Sequence, residues 1–533
     1  MKTVLIFLLA AYNLTEKLQQ GVDKMNFDTV KDYLQIEETV FSKTFELPLE
    51  FEKILSDGLP SVGRVLKAIG EPLISSKQIN GKNCSIDGNC LITVIYVSET
   101  GALCSYADNI PFSKNFELEN ECEDAYIEID SICDNISCRA ITGRRLELNC
   151  NAILNVSVNN VCKKEIVTGC DCSSIQLKLE STNVTTCVGR SDKNVIIEEE
   201  LQISDSETVT SCLRCSVTPR ITDNRVVSGK VMAKGEVEIK MLCLCKDGAA
   251  KEFSSIIPFS QMMEIENCDE CDCESKATLC GYEFRERSGS DGSFASVIFS
   301  ARINILTKCF KTVNQCFVED AYSVAGELRN ESCNINFSKN IGVINDRFSF
   351  SKELEFTEGT LEAIKDFWCE TQKYNYCIEN NELIISGNIK ICILGYDSSG
   401  AAVFNERPAD YEYRYPLKEL LGDKPCCVDI KVKSCDYSFY DSDKLAAKIE
   451  LEVSAKLVNR KKSTVLKHLE MSDDKTDTCS KNKGAAMYVY FASKGESVWD
   501  IAKKYRSEIK CVKETNCIED DEICEDTKLI IPV

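Results

Sequence analysis

Long stretches of the chain alternate between apolar and polar residues, which is the pattern of a β-strand with one buried face. Leu148 to Val156, Val297 to Ile305 and Leu451 to Leu457 follow it, each with an alanine in the middle of its apolar side. Helical periodicity is scarce in these regions, and its clearest example, Leu361 to Trp368, is too short to stand alone. The pattern predicts a mainly β protein built from half-buried antiparallel sheet.

The strand pattern recurs three times at a spacing of about 150 residues. In each copy an anchor glycine opens an apolar run that closes on a second glycine thirteen positions later: Gly88 to Gly101, Gly235 to Gly248 and Gly387 to Gly400. The runs are rich in β-branched residues and end in glycine turns, so each is predicted to be one arm of a hairpin.

Two flanking patterns accompany the anchor glycines. Ile110-Pro111-Phe112 and Ile257-Pro258-Phe259 recur after the turn, whereas the third copy has Ala409-Asp410-Tyr411 and is therefore the divergent one. Upstream, a Glu-Leu pattern begins at Glu46, Glu200 and Glu353, which lie 42, 35 and 34 residues before the anchor glycine. This difference in spacing predicts an insertion in the first copy.

Polar stretches rich in Ser, Thr, Asn and Lys separate the copies and suggest domain boundaries. The resulting division is an N-terminal segment 1–33, β repeats 34–180, 190–323 and 343–474, a linker 475–486 and a C-terminal domain 487–533. The chain is thus predicted to hold three repeated antiparallel β domains in tandem, followed by a smaller domain.

The C-terminal residues have a different pattern. Tyr488 to Phe491 is predicted to be a strand, Val498 to Tyr505 an amphipathic helix that Ser497 can cap, and Leu529 to Pro532 a closing strand. The block G-E-S-x-W-x-I-A-x-x-Y, Asn516 and the terminal L-I-I-P resemble a LysM domain. That resemblance implies a βααβ fold with a groove for N-acetylglucosamine polymers.

The LysM resemblance also implies which residues line the groove. They belong to two loops and are Lys494, Gly495, Glu496, Ser497, Val498, Glu514, Thr515, Asn516, Cys517 and Ile518. The surrounding residues Glu519 to Glu522, Glu525 and Asp526 are acidic, which suits a basic protein surface better than a neutral glycan. The module is therefore a candidate for binding either glycan or protein.

The three β repeats resemble the SPOCS-domain proteins of endospore-forming bacteria, in particular SipL-like spore morphogenesis proteins. The most specific stretches are Val227 to Phe259 and the corresponding Asn80 to Phe112. The resemblance implies scaffold modules without catalytic residues or cofactors, which link layers around the developing spore after assembly from the mother-cell cytoplasm. The implied partners are other spore envelope proteins and further copies of the same chain.

Composition excludes several functional classes. The formal net charge of −22 repels phosphate and disfavours nucleic-acid binding. His468 is the single histidine, so histidine-based catalytic triads cannot occur in most of the chain, and we expect no enzyme. No stretch approaches the ~20 apolar residues that a membrane span needs.

The 32 cysteines need an explanation of their own. Cys90 and Cys150 occupy predicted core positions, where cysteine behaves as a small apolar residue. Cys268, Cys271, Cys273 and Cys280 form the best zinc candidate, but their spacing is irregular and the other repeats lack it. We expect disulfides within and between chains instead, as covalent cross-links of a spore coat.

The start of the chain supports a second hypothesis. Met1 to Ala11 resembles a short signal peptide, with an incomplete cleavage site. If it directs export, the protein is a glycan-binding cell-wall protein held by its LysM groove. The leading hypothesis remains a non-enzymatic structural and recruitment protein of the spore envelope.

Overall fold

The structure is a computed structural model that describes residues 27–202, 209–245, 249–266, 268–288, 294–357, 359–417, 427–441, 444–471 and 487–532. The signal-like segment Met1–Ala11 and the predicted linker 475–486 lie outside the described residues. The described chain is mainly β, as the alternating pattern predicts.

Eighteen strands precede the C-terminal module and fall into three units of six. The first unit contains β1 (Thr29–Ile54), β2 (Val62–Asn80), β3 (Asn83–Ser98), β4 (Leu103–Glu117), β5 (Ala125–Thr142) and β6 (Arg145–Cys170). The second contains β7 (Ile175–Gln202), β8 (Val209–Val227), β9 (Lys230–Cys245), β10 (Ala250–Met263), β11 (Asp272–Ser288) and β12 (Phe294–Ser323). The third contains β13 (Leu328–Glu355), β14 (Ala363–Glu379), β15 (Glu382–Tyr396), β16 (Ala402–Pro416), β17 (Cys427–Asp441) and β18 (Lys444–Met471).

Each unit forms two antiparallel sheets with the same strand order. The second, third and fourth strands make a short sheet, and the first, sixth and fifth strands make a long sheet with the sixth in the centre. The two sheets of a unit share an apolar core, to which the alternating strand contributes Ala152, Ala301 and Ala455, all fully buried. The predicted burial of that strand is confirmed.

The anchor glycines occupy the same place in all three short sheets. Gly88 faces Phe112 across the β3–β4 pair, Gly235 faces Phe259 and Gly387 faces Tyr411. A Cβ atom at any of the three would collide with that aromatic ring. The aromatic residue of the Ile-Pro-Phe pattern therefore covers the glycine, and Tyr411 keeps this function in the divergent third copy.

The predicted insertion in the first copy is wrong. The fifth strand of each unit carries a β-bulge, after Cys133, Leu279 and Val432, which aligns the three units. In that alignment Lys53, not Leu47, corresponds to Leu201 and Leu354, and these residues lie 35, 34 and 33 positions before the anchor glycine. The same alignment places Ala301 with Cys150 and Ile449, so the three central alanines are not equivalent.

Most residues of the polar stretches that were predicted as boundaries lie inside strands, whereas residues 324–327 connect β12 to β13. Residues 180–190 belong to β7, whose pairing with β12 supplies the backbone hydrogen bonds, and residues 328–343 belong to β13. The predicted helical segment 361–368 is also extended, because from Ala363 onward it pairs with β15. These polar residues sit on exposed or half-exposed faces of long strands, which local composition alone does not distinguish from linkers.

The three units pack around a common axis. The short sheets close a ring in which β4 contacts β8, β10 contacts β14 and β16 contacts β2. Their shared core includes Ile95, Leu242 and Leu394, all buried. The long antiparallel strand pairs β1–β6, β7–β12 and β13–β18, here called the long hairpins, continue away from the ring. They pack on one another around Phe317 and Phe337. With 26 to 30 residues in most of their strands, these hairpins are roughly 80–100 Å long.

The C-terminal module has the predicted order of strand, two helices and strand. It consists of β19 (Met487–Ala492), α1 (Val498–Tyr505), α2 (Ile509–Asn516) and β20 (Thr527–Pro532), and β19 pairs antiparallel with β20. Ser497 caps α1, because its side chain accepts a hydrogen bond from the Asp500 amide. The predicted helix and both predicted strands are therefore confirmed.

Candidate functional site

The first predicted groove loop, Lys494–Val498, is held by backbone hydrogen bonds. Gly495 N donates to the Ile523 carbonyl at 2.8 Å, and Val498 N donates to the Asp521 carbonyl at 2.9 Å. Glu496 accepts hydrogen bonds from the Ser493 amide and the Tyr490 hydroxyl, each at 3.3 Å. These hydrogen bonds hold the loop in place beside the acidic segment.

The second predicted groove segment, Glu514–Ile518, lies at the end of α2. The Asn516 side chain donates to the Val512 and Ile530 carbonyls and accepts from the Ile530 amide at 2.7 Å. These bonds occupy the amide group, so Asn516 ties α2 to β20. Glu514, Thr515 and Cys517 are the exposed residues of this segment.

Acidic residues surround both predicted groove segments. Glu514, Glu519, Asp520, Asp521, Glu522, Glu525 and Asp526 are all exposed. Two of them are paired with lysines, Asp521 with Lys513 at 2.7 Å and Glu514 with Lys510 at 3.8 Å. The surface beside the predicted groove is therefore strongly negative.

The module is docked on the end of the second long hairpin. Asp320 of β12 accepts hydrogen bonds from Trp499 Nε1 at 2.8 Å and from Lys503 Nζ at 2.6 and 2.7 Å. The Tyr322 ring packs edge-on against Trp499, and its hydroxyl donates to the Ser507 carbonyl. The tryptophan of the LysM-like block therefore faces the scaffold.

A second candidate site is a cavity of about 1560 Å³ on the axis of the ring. The second and fifth strands of all three units line it. In each second strand a bulge directs a charged residue to an equivalent position: Lys67 in β2, Arg214 in β8 and Asp366 in β14. Sequence reasoning missed these residues because a charge in an alternating strand normally lies on the solvent face.

The axial charges pair between units. Arg214 binds Asp366 through two hydrogen bonds of 2.7 and 3.0 Å, and its guanidinium lies over the Trp368 ring. Lys67 pairs with Glu406 at 2.8 Å and with Glu370 at 3.3 Å. These contacts join the third unit to the second and to the first.

Glu71 also lines the axial cavity, and its carboxyl group has no ion pair among the described residues. Burial alone raises the pKa of Glu71 from its ordinary value of 4.5 to about 7. Burial is the main cause of the raised pKa of Tyr282, and the nearby charge of Glu71 raises it further.

The structure does not bring the four cysteines of the zinc candidate together as a metal site. In the part of the chain that the structure describes, no group of three or more His, Cys, Asp or Glu side chains is placed to hold a metal ion. Cys273 instead lies 2.9 Å from Cys309, and the Cys280 thiol donates to the Thr278 carbonyl. Cys268 and Cys271 lie in the turn before β11, and Cys273 and Cys280 lie seven residues apart along that extended strand.

Other cysteines approach each other in pairs. Cys369 of β14 and Cys435 of β17 form a disulfide. Cys133 lies 3.3 Å from Cys150, which is itself 3.8 Å from Cys90. Cys90 and Cys150 are buried among apolar residues, as predicted.

Comparison with known families supports one part of the resemblance. The family model described as SipL, SPOCS domain, matches residues 61–141 and 208–284, which correspond to β2–β5 and to most of β8–β11. These segments contain the short sheets and the fifth strands of two units, and they indicate a sporulation-related protein. No curated protein and no solved structure matches the chain. No helix within the described ranges is long and apolar enough to cross a membrane.

Proposed function

We propose that this chain is a non-enzymatic structural and recruitment protein of the bacterial spore envelope. The proposal is carried by the position of the SPOCS matches, which fall on the strands that build the ring and its axial cavity. The charges in that cavity are paired largely between units, which is what a rigid scaffold needs. Three SPOCS-like units would provide the assembly surface, and the long hairpins would hold the C-terminal module at a distance from it.

We further propose that the C-terminal module is a LysM domain that docks the scaffold on its target. The strand-helix-helix-strand order and the loops Lys494–Val498 and Glu514–Ile518 support this assignment. The exposed acidic residues around those loops favour a basic protein surface as the target. A glycan containing N-acetylglucosamine is the competing ligand, and it would fit the exported cell-wall alternative.

We propose that exposed thiols form the cross-links between chains. Cys316 on the second long hairpin and Cys517 and Cys524 on the C-terminal module are exposed. A spore envelope ages under oxidising conditions, so such thiols can form disulfides with neighbouring chains. Electrophoresis of mature spore extracts without reductant should then show the chain in high-mass species that collapse to 59.7 kDa on reduction.

A fluorescent fusion of the full chain in a sporulating culture tests the location. The signal is expected to appear only after sporulation begins and to surround the developing spore. Signal in the growth medium or in the wall of vegetative cells would instead support the exported alternative.

A binding experiment with the full chain separates the two ligands of the module. If the module recruits protein, purified cortex peptidoglycan should retain the chain no better than a variant with Thr515→Ala, at an exposed position of the second predicted groove segment. Strong retention that this variant loses would establish glycan binding and overturn the protein-docking proposal.

A further inference from the structure

The fifth strand of every unit carries a cysteine whose sulfur meets a second cysteine of the same unit. In the third unit, Cys435 of β17 is already joined to Cys369. In the first and second units the corresponding strands β5 and β11 carry Cys133 and Cys273. Cys133 and Cys435 line the axial cavity, whereas Cys273 lies at the start of β11, outside the part of that strand that lines the cavity.

The two unbonded pairs have the geometry of disulfide precursors. Cys273 and Cys309 are directly opposite each other across the β11–β12 pair, with their sulfurs 2.9 Å apart. Cys133 and Cys150 are diagonal neighbours across the β5–β6 pair, with their sulfurs 3.3 Å apart. A disulfide needs a separation of about 2.05 Å, so each pair closes with a movement of roughly 1 Å.

The two sulfurs of each pair differ in solvent exposure and therefore react in a fixed order. Cys133 and Cys273 are partly accessible, whereas Cys150 and Cys309 are buried. An external oxidant therefore meets the accessible thiol first, and the buried thiol is in place to complete the reaction.

We propose that Cys133–Cys150 and Cys273–Cys309 are two further disulfides within the chain, which form by exchange with a low-molecular-weight disulfide after folding. Cys133 or Cys273 first loses its proton to solvent, and the thiolate attacks the small disulfide, forming a mixed disulfide and releasing one small thiolate, which takes up a proton. The hydrogen bond to Cys150 and burial raise the pKa of Cys133, and burial raises the pKa of Cys273, so the exchange is faster at alkaline pH. The thiolate of Cys150 or Cys309 then attacks the protein sulfur and releases the second small thiol. Two protein thiols are oxidised and one small disulfide is reduced to two thiols, so atoms and electrons balance.

In the first unit, Cys90 competes with Cys133 for the bond to Cys150. It is fully buried and lies 3.8 Å from Cys150, farther than Cys133 does. An oxidant that enters from the cavity reaches Cys133 before Cys90, so the exchange favours the Cys133–Cys150 bond.

The result is one internal cross-link in each unit, always on the fifth strand. Because these bonds lie within one chain, the exposed thiols of Cys316, Cys517 and Cys524 stay available for other chains. The inference does not depend on the location of the protein in the spore, so either proposal can fail without the other.

Peptide mapping of the full chain tests the proposal. The reduced chain is incubated with oxidised glutathione, remaining thiols are alkylated, and the chain is digested without reductant for mass spectrometry. We expect linked peptides for Cys369–Cys435, Cys273–Cys309 and Cys133–Cys150, each of which disappears on reduction.

Variants sharpen the result. Cys309→Ser should abolish the Cys273 link and leave the other two, whereas Cys316→Ser, an exposed position on the same strand, should leave all three. A Cys90–Cys150 link in place of Cys133–Cys150, or full alkylation of Cys273 and Cys309 in a chain that contains the Cys369–Cys435 link, would overturn the proposal. The wild-type map decides these outcomes even if a variant fails to fold.

Discussion

The aromatic rings that cover the anchor glycines leave no room for a side chain at those positions. Gly235 lies under Phe259 and against the Arg220 carbonyl oxygen, so a methyl group has no room at this position. We predict that Gly235→Ala lowers the free energy of unfolding by about 1–3 kcal/mol, as overpacking in a filled core does. Chemical denaturation of the full chain measures this loss.

Gly342 provides the matched control. No atom lies within 4 Å of a Cβ atom built there, so Gly342→Ala should change stability little. Combining Gly235→Ala with Phe259→Leu should recover part of the loss if the ring is its cause. Equal destabilisation by both alanine variants would contradict the explanation.

Glu71 is predicted to make stability depend on pH near neutrality. Its pKa is about 7 in the folded chain and near 4.5 in the unfolded chain, so the folded state binds more protons between these values. Its contribution is therefore intact below pH 4.5 and falls as the pH rises to 7, by roughly 3–4 kcal/mol in total. Above pH 7 this term is constant.

Substitution separates that term from the other acidic residues. Glu71→Gln should raise the denaturation midpoint at pH 8 more than at pH 5. Glu117→Gln, at an exposed position on β4, should change neither midpoint. The same gain from Glu71→Gln at both pH values would show that Glu71 is not protonated by folding.

At the scale of elements, the sequence predicted the type of strand well and its length poorly. Alternation identified the buried faces that hold Ala152, Ala301 and Ala455, because one face of each sixth strand meets the core. It did not reveal that β7 and β13 continue through polar stretches, because there the sides of the long hairpins are exposed. Pairing between strands, not local composition, determines where these elements end.

Matching by residue type explains the other errors of alignment. The central alanines and the Glu-Leu pattern were matched in this way, and the strand pairing shows that they are inequivalent. The offset from Leu47 to Lys53 is six residues, whereas a bulge adds only one residue to a strand. The Ile-Pro-Phe pattern aligned correctly because β3–β4 and β9–β10 pair without a register shift.

Asp320 is the acidic residue of β12 that docks the C-terminal module, beside the contacts of Tyr322. Asp320 accepts bonds from both Trp499 and Lys503, so Asp320→Ala should loosen α1 from β12 while the module keeps its own core. In a Trp368→Phe background, where Trp499 is the remaining tryptophan, we expect a red shift of its emission and easier quenching by iodide. Asp500→Ala, an exposed acidic position on the same helix, is the control and should leave both signals unchanged.

For the predicted groove, the sequence located the first segment in a loop but not the second. Lys494–Ser497 lies in a turn, whereas residues 514–516 form the last turn of α2 and only Cys517 and Ile518 follow that helix. The pairing of the first loop with Asp521–Ile523 and the closure of Asn516 on β20 depend on the folded backbone, which no motif specifies. The axial charges were missed for the same reason, because their position depends on how the three units meet.

At the scale of the whole molecule, divergence between the repeats makes the ring possible. Three identical units would place three identical charges at the axis, and like charges repel strongly where little water screens them. Lys67, Arg214 and Asp366 occupy equivalent positions with different charges, so an opposite charge is available inside the ring. One chain with three unequal copies can therefore build an axial layer that a symmetric trimer cannot.

The Arg214–Asp366 pair tests this view of the ring. It joins the second unit to the third, and the Asp366 side chain is fully buried. We predict that Asp366→Ala lowers the free energy of unfolding by about 3–5 kcal/mol, because it leaves the buried Arg214 without a counter-charge. Glu147→Ala, which removes the partner of the exposed Arg139, should cost no more than about 1 kcal/mol.

A double substitution distinguishes charge from packing at this joint. Arg214→Met with Asp366→Leu removes both charges and keeps apolar volume, so it should recover most of the loss caused by Asp366→Ala. Guanidinium denaturation gives the three free energies, and hydrogen exchange in β8 and β14 should rise most in Asp366→Ala, because that variant separates these two strands. If the double variant is as unstable as Asp366→Ala, the pair stabilises the ring through its shape and not through the balance of its charges.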